Sequence, residues 1–397
     1  RLGARLVFRW AIVVFALGAI ACALSSTLFE LVAARTLQGI GGSMMTPVGR
    51  LIVLRGTPRG ELVSALAWLT VPALLGPVMG PPLGGFITTY WDWRWIFWIN
   101  IPIAVLGIVL STLYMPDLRE NDVRSFDHIG FLLLGPGLAI FLTGLTLLGL
   151  SLAAPPVVAA LVIGGLGLII LYVRHALRVP NPMVDLRLLS LQTFRISVSA
   201  GTLFRVGNGA LPFILPLMLQ IGFGLTPFQS GTLTFMSGVG ALTMKFTAQR
   251  LLRRFGFRQI LMVNAVLSAI FVIAPAFFTA TTPWLVMAFV LFIGGLSRSL
   301  QFTSVNAISY AEVPSERLSS ATSFNAVLQQ LAGSVGITIA AMTLEMTAFV
   351  RGGQATDLAN FPVVFALIAG MSVASAFLFA KLSPRAGAVL VGDNSAV

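Results

Sequence analysis

Three arginines stand in stretches otherwise suited only to lipid. Arg35 is followed by Gln38, Arg205 by Asn208, and Arg298 by Gln301 and Asn306. A fourth polar stretch carries Asn325, Gln329 and Gln330. Charged and amide groups are costly in hydrocarbon, so they face each other, backbone carbonyls or a watered cavity. The chemistry open to them is recognition. A guanidinium that faces a cavity unpaired favours an anionic compound, and an amide orients a polar ligand. The structural alternative is bracing, in which arginines bond to carbonyls and amides tie two helices. Both readings stand, and together the residues suggest a polar cavity between helices. No carboxylate falls at the middle of any apolar run. Glu345 lies near a run's end, Asp92 lies in a short connection, and Asp117, Glu120, Asp122 and Asp127 share a loop where solvation is expected. A proton-driven carrier normally loads its proton on a buried acid, and this chain does not display one. There is no H-E-x-x-H, no Walker A and no G-x-S-x-G with partners, so enzyme chemistry has little support. The single Cys22 excludes an internal disulfide or cysteine metal cluster. His128 and His175, near the ends of runs and far apart in sequence, read as interfacial residues with no metal or cofactor implied.

The elements that must hold these groups are membrane helices. The 397 residues are 57% hydrophobic and 10% charged, and mean hydropathy is +0.94; an ordinary soluble domain carries about 25% charged residues. A spanning helix needs about 20 apolar residues. Twelve such runs are present, near 10–29, 31–54, 62–88, 95–115, 129–150, 153–173, 196–221, 228–249, 259–280, 284–307, 319–345 and 361–381. If the start is cytoplasmic, the arginine-rich loops, from Arg1, Arg5 and Arg9 to Lys381 and Arg385, fall on the cytoplasmic side. Only Arg94 and Arg351 fall on the other. That asymmetry places both ends of the chain in the cytoplasm. It also accounts for the net charge of +12 without nucleic acid.

Gly76-Pro77-Val78-Met79-Gly80-Pro81-Pro82-Leu83-Gly84-Gly85 is the most unusual run. Gly76, Gly80 and Gly84 recur every fourth residue and share one helix face, which would let a second helix approach closely. Its prolines bend the helix, and a bilayer tolerates this where neighbours satisfy the freed carbonyls. Tyr90-Trp91-Asp92-Trp93-Arg94-Trp95 reads as an interfacial aromatic belt. A short repeat is visible: Arg1-Leu2-Gly3-Ala4-Arg5 precedes the first run and Arg254-Phe255-Gly256-Phe257-Arg258 precedes the ninth, as a two-halved transporter would have. A second echo, Arg35-Thr36-Leu37-Gln38 against Arg298-Ser299-Leu300-Gln301, lies at different depths and is read as coincidence.

These motifs resemble the major facilitator superfamily, in particular its fourteen-span drug:proton antiporters of the EmrB/QacA type. Arg1 to Arg5 resembles the end of the cytoplasmic loop motif between spans two and three. Arg35 to Gly42 resembles the fourth-span R-x-x-Q-G-x-G. Gly76 to Gly85 matches the fifth-span antiporter motif G-x-x-x-G-P-x-x-G-G. Leu203 to Gln220 and Gly294 to Asn306 resemble the MdtD-like members. The resemblance covers essentially the whole chain. It implies an all-α polytopic fold with about twelve helices present, two N-terminal helices missing, and with them the acid that couples protons. It implies an N-terminal bundle over 1–115, two extra spans within 116–195, a six-span bundle over 196–382 and a tail over 383–397. It also implies roles: Arg35 in proton coupling; Gly76, Pro77, Gly80, Pro81, Gly84 and Gly85 in a bent helix contact that prevents leak; Arg1, Gly3 and Arg5 in a cytoplasmic gate. Gln38, Arg205, Asn208, Arg298, Gln301, Asn325 and Gln329 become candidate cavity lining.

The function so implied is proton-coupled export of small amphipathic drugs or metabolites across the plasma (inner) membrane by alternating access. The alternatives are a non-transporting truncated remnant and a metabolite transporter of the same superfamily. The partners are the bilayer, a small-molecule substrate and protons. A periplasmic adaptor or outer-membrane channel is left open by the sequence.

Overall fold

The computed structural model describes residues 3–56, 76, 78–116, 127–149, 153–180, 182–314 and 317–387. Among them every regular element is helical. The chain separates into two compact units: Arg1–Ser125 with Thr226–Thr232, and Phe126–Leu225 with Leu233–Val397.

The first unit holds α1 (Ala4–Leu24), α2 (Leu28–Gly56), α3 (78–90) and α4 (Trp95–Tyr114). It also holds the opening turn of a later helix. Helices α1 and α2 pack closely because glycines remove the side chains between them. A Cβ at Gly18 would strike the Gln38 backbone, and one at Gly41 would strike the Phe15 backbone. Glu30 accepts from the Ser26 and Thr27 amides at 2.7 and 3.2 Å, which fixes the start of α2. Between α3 and α4, Asp92 accepts from the Arg94 amide and its carbonyl starts the next helix. Trp91, Trp93 and Trp95 stay more than one-third exposed around that turn, as a belt at an interface requires.

The second unit holds α5 (His128–Gly149), α6 (Pro155–Ala176), α7 (Gln192–Gly222), α8 (Pro227–Ile273), α9 (Trp284–Ile308), α10 (Leu318–Arg351) and α11 (Phe361–Phe379). The first turn of α8 belongs to the other unit. Helices α5 and α6 form a tight hairpin, with Gly144 and Gly165 letting the backbones meet. Its α5 arm packs on α10. The core of the rest is built by α7, α9, α10 and α11, around Phe204, Ile214, Leu219, Phe361 and Phe365, all fully buried.

By length and composition, nine of the described helical stretches can cross a membrane. The sequence implies twelve spans, and the difference has identifiable sources. The stretch Pro227–Phe277 is 51 residues long, about 77 Å at 1.5 Å per residue, and so holds two spans. They meet at Gly256, whose φ of 72° and ψ of 162° break the helix. The prolonged α2 falls short of the apolar threshold because Arg35, Gln38, Arg50 and its glycines interrupt it. Most of 62–88 lies outside the described residues.

One loop expectation is corrected. Asp127 is not solvated: its side chain is 7% exposed and accepts from His175 Nε2 at 2.9 Å. It also accepts from the Gly130 amide at 2.8 Å, capping α5. His175, which the sequence offers only as an interfacial residue, ties α6 to that cap.

Candidate functional site

Two kinds of site emerge, one made of backbone contact and one of charge. The first lies where α3 meets the opening turn of α8. A Cβ on Gly85 would strike the Pro227 carbonyl, and one on Gly231 would strike the Pro81 carbonyl. Thr89 Oγ1 accepts from the Phe228 amide at 3.1 Å, and the Phe228 ring packs on Phe86 and Tyr90 at 5.9 and 6.1 Å. The glycine-every-fourth face does not make this approach. A Cβ at Gly76, Gly80 or Gly84 would meet nothing within 4 Å among the described residues. The reason is angular: Gly85 lies 100° round the helix from Gly84, and Gly231 supplies the second bare surface. Pro77 lies outside the described residues.

The repeated turns have the same construction in both units. Gly3 has φ 81° and Gly256 has φ 72°, conformations that favour glycine. Arg5 Nη2 donates to the Thr112 carbonyl, two residues before the end of α4. Arg258 Nη2 donates to the Ala380 carbonyl at 2.9 Å, just past α11. Each arginine therefore meets the negative end of a helix. Arg1 lies outside the described residues.

Arg35 sits on α2 with Nη1 donating to Gln38 Oε1 at 2.9 Å. Its guanidinium stands 5.2 Å from the Phe97 ring centre, a cation–π contact. Gln38 is buried, with Cys22 Sγ of α1 at 4.0 Å. A guanidinium held by an amide and a ring is positioned without being neutralised.

In the second unit three cations within apolar helices are likewise matched with neutral oxygens. Arg205, 3% exposed on α7, donates through Nη2 to Asn306 Oδ1 of α9 at 2.5 Å. Among the described residues its Nε and Nη1 have no partner. Arg298 of α9 donates to Ser237 Oγ of α8. Lys245 of α8 donates to Thr303 Oγ1 of α9 at 2.7 Å. Asn208 donates to Ser372 Oγ of α11 at 3.3 Å, and its Oδ1 has no partner. Asn325 of α10 is buried with neither amide atom bonded among the described residues, whereas Gln329 is exposed.

Gln301 departs from its expected place in a cavity lining. It is fully buried, donates to the Leu261 carbonyl at 3.1 Å, and accepts from Asn264 Nδ2 at 2.9 Å. Its amide is spent on joining α9 to α8. The arrangement brings Arg205 to Asn306 and Asn208 to Ser372, and it gives Arg35 and Arg298 different kinds of partner. Lys245, Asn264, Ser237 and Ser372 are functional or bracing groups absent from the sequence-derived set. The available signal was a polar residue inside an apolar run.

A helical membrane protein whose spans hold fixed polar groups between close-packed glycine-rich helices has the makings of a transporter. The model of the Major Facilitator Superfamily matches residues 1–175 and 197–395, and the chain belongs to that family. It is a multi-pass membrane transporter and not an enzyme. Two bacterial relatives are provisionally named multidrug resistance protein MdtD. The one from Escherichia coli O6:H1 is 36% identical over 96% of this chain and 81% of its own length. The one from Citrobacter koseri is 40% identical over 87% of this chain and 73% of its own. The fold is also that of a D-xylose–proton symporter, at TM-score 0.67 and 16% identity over 97% of this chain and 82% of the other. A peptide transporter of the POT type gives 0.68 and 16% over 98% and 81%.

Proposed function

We propose that the protein exports small amphipathic compounds across the plasma (inner) membrane in exchange for protons. Two helical bundles, over 1–115 and 196–382, would alternate access to a site between helices, with α5 and α6 as the intervening pair and both ends cytoplasmic. The observation that carries the export direction is the α3 contact, Gly85 on Pro227 and Gly231 on Pro81. It falls at the G-x-x-x-G-P-x-x-G-G run and would close the space through which such a transporter leaks. The provisional name of the MdtD relatives, multidrug resistance protein, supports the same reading. Arg35 is the proposed coupling residue. Its positive field, undiminished by Gln38 and Phe97, would favour deprotonation of any acid that approaches it. Arg1, Gly3 and Arg5 are proposed as part of the cytoplasmic gate, with Arg5 holding the end of α4 in one state. Arg205, Asn208, Arg298 and Asn325 are proposed to line the substrate path.

The test is transport by the protein in sealed vesicles. An imposed pH gradient should drive counterflow of an amphipathic dye, and Arg35→Gln should uncouple it. If no amphipathic cation or anion moves against the gradient, proton-coupled export is wrong.

A further inference from the structure

The chemistry of the second unit goes further than an amphipathic substrate of unspecified charge. Three cations lie along its helices: Arg205 on α7, Lys245 on α8 and Arg298 on α9. Each donates to a neutral oxygen, of Asn306, Thr303 and Ser237 respectively. The ion pairs described in the protein involve Arg94, His175 and Arg317, and none of these three. Arg205 is the most exacting case. It is 3% exposed, its one partner is an uncharged amide, and Nε and Nη1 are unbonded. Burying an uncompensated charge costs several kcal/mol. An arginine kept merely to brace helices spends its donors on carbonyls. Arg5 and Arg258 show that use in this same chain, each on a carbonyl at a helix end, with a buried Nε left unbonded in each; Arg205 differs in bonding no carbonyl and leaving two nitrogens unbonded.

The groups around Arg205 extend the argument. Helix α10 packs along α7, with a Cβ at Gly336 striking the Val206 carbonyl. Asn208, one turn from Arg205 on α7, has a free Oδ1. Nε and Nη1 open on different edges of the guanidinium, so each can give one charge-assisted bond to an oxyanion oxygen. We propose that Arg205 holds an oxyanion group of the transported compound, a carboxylate or a phosphate, with Arg298 and Lys245 adding positive field. The substrate class is therefore an organic anion. This rests on the export reading above and names its substrate.

The experiment separates the two claims by measuring binding apart from transport. The purified protein is titrated with carboxyfluorescein, 4-methylumbelliferyl phosphate and the cation ethidium, read by fluorescence anisotropy or intensity. The wild type should bind at least one anion at least tenfold more tightly than ethidium. The tighter of the two anions identifies carboxylate or phosphate as the head group. Arg205→Gln should weaken that anion by about 10- to 100-fold, the range for charge-assisted hydrogen bonds, and leave ethidium unchanged. Arg205→Lys should recover part of the loss. Arg298→Gln and Lys245→Gln should each cost less. Ethidium binding in preference to both anions overturns the proposal and leaves export standing, as does an Arg205→Gln protein that binds anions normally. If neither arginine variant folds, the wild-type ranking of anion against cation decides alone. Anion binding without movement under a pH gradient upholds the site and removes the proton coupling. No binding and no movement of any dye removes both.

Discussion

The two units share one turn and differ in where they keep charge. Each has an R-x-G-x-R turn whose glycine takes positive φ, Gly3 and Gly256, and whose second arginine grips a carbonyl at a helix end, of Thr112 or Ala380. In the first unit the intramembrane cation Arg35 is held by Gln38 and faces Phe97. The second unit holds Arg205, Lys245 and Arg298 on neutral oxygens, with Arg205 half unbonded. The shared turn shows what both halves of such a protein need, a sharp break and a secured helix end. Close backbone packing is common to both, at Gly18 and Gly41 in the first and at Gly144, Gly165 and Gly336 in the second; the unshared charges are what the anion proposal assigns to the second.

That comparison can be broken at several points. The largest effect is expected at the α3 contact. Gly85→Val and Gly231→Val each drive a side chain into a backbone carbonyl, and overpacking of this kind costs about 1–3 kcal/mol or more. Both should abolish dye export and lower the melting temperature in detergent. Next come the turns. Gly256→Ala puts a Cβ on a backbone of φ 72° and ψ 162°, a strain of about 1–3 kcal/mol. Gly3→Ala should behave alike if the two turns are true equivalents. A variant that melts normally at one position and not the other would end the parallel.

Removing the arginines should cost a comparable amount. Arg258→Ala and Arg5→Ala each lose a charge-assisted bond to a helix end, worth about 1.5–3 kcal/mol at most, and Arg258→Lys should restore part of the melting temperature. Acid sensitivity should centre on Asp127. Burial opposes its charge, but the bonds from Gly130 and His175 prevail and hold its carboxyl below the usual aspartate range. A group so depressed contributes stability above the ordinary aspartate value of about 4 and loses it as pH falls further. Asp127→Asn should flatten that acid-side loss in a melting-temperature profile. The smallest effect belongs to Gly80→Ala, where the added methyl meets nothing within 4 Å among the described residues. It should change stability by less than about 0.5 kcal/mol, which separates the packing surface at Gly85 from the face that the four-residue spacing suggests.

Much of this architecture is legible in composition because the bilayer admits few solutions. Runs of about 20 apolar residues must be helices, and arginines collect on one side of them. The R-x-G-x-R repeat could be read because a break between two spans needs glycine. The α3 contact could be read only in part. A four-residue spacing identifies a bare face, but which face meets a neighbour depends on the partner's own surface, here Gly231. Gln301 and Asp127 were misplaced for a related reason. Whether an amide lines a cavity or joins helices depends on Asn264, 37 residues away, and whether a loop acid is solvated depends on His175, 48 residues away.

The sequence by itself determined that this is a many-spanning helical membrane protein and marked its superfamily, since hydrophobic length and glycine-proline patterning are local properties of the chain. The tertiary structure decided which polar groups are spent and which remain open. Arg205 and Arg258 are the same residue in the sequence. Arg258 meets a helix-end carbonyl and keeps one buried nitrogen unbonded, whereas Arg205 meets an amide oxygen and keeps two unbonded among the described residues. Only the positions of distant helices distinguish them, because hydrogen bonds inside a bilayer are satisfied across the fold as well as along the chain.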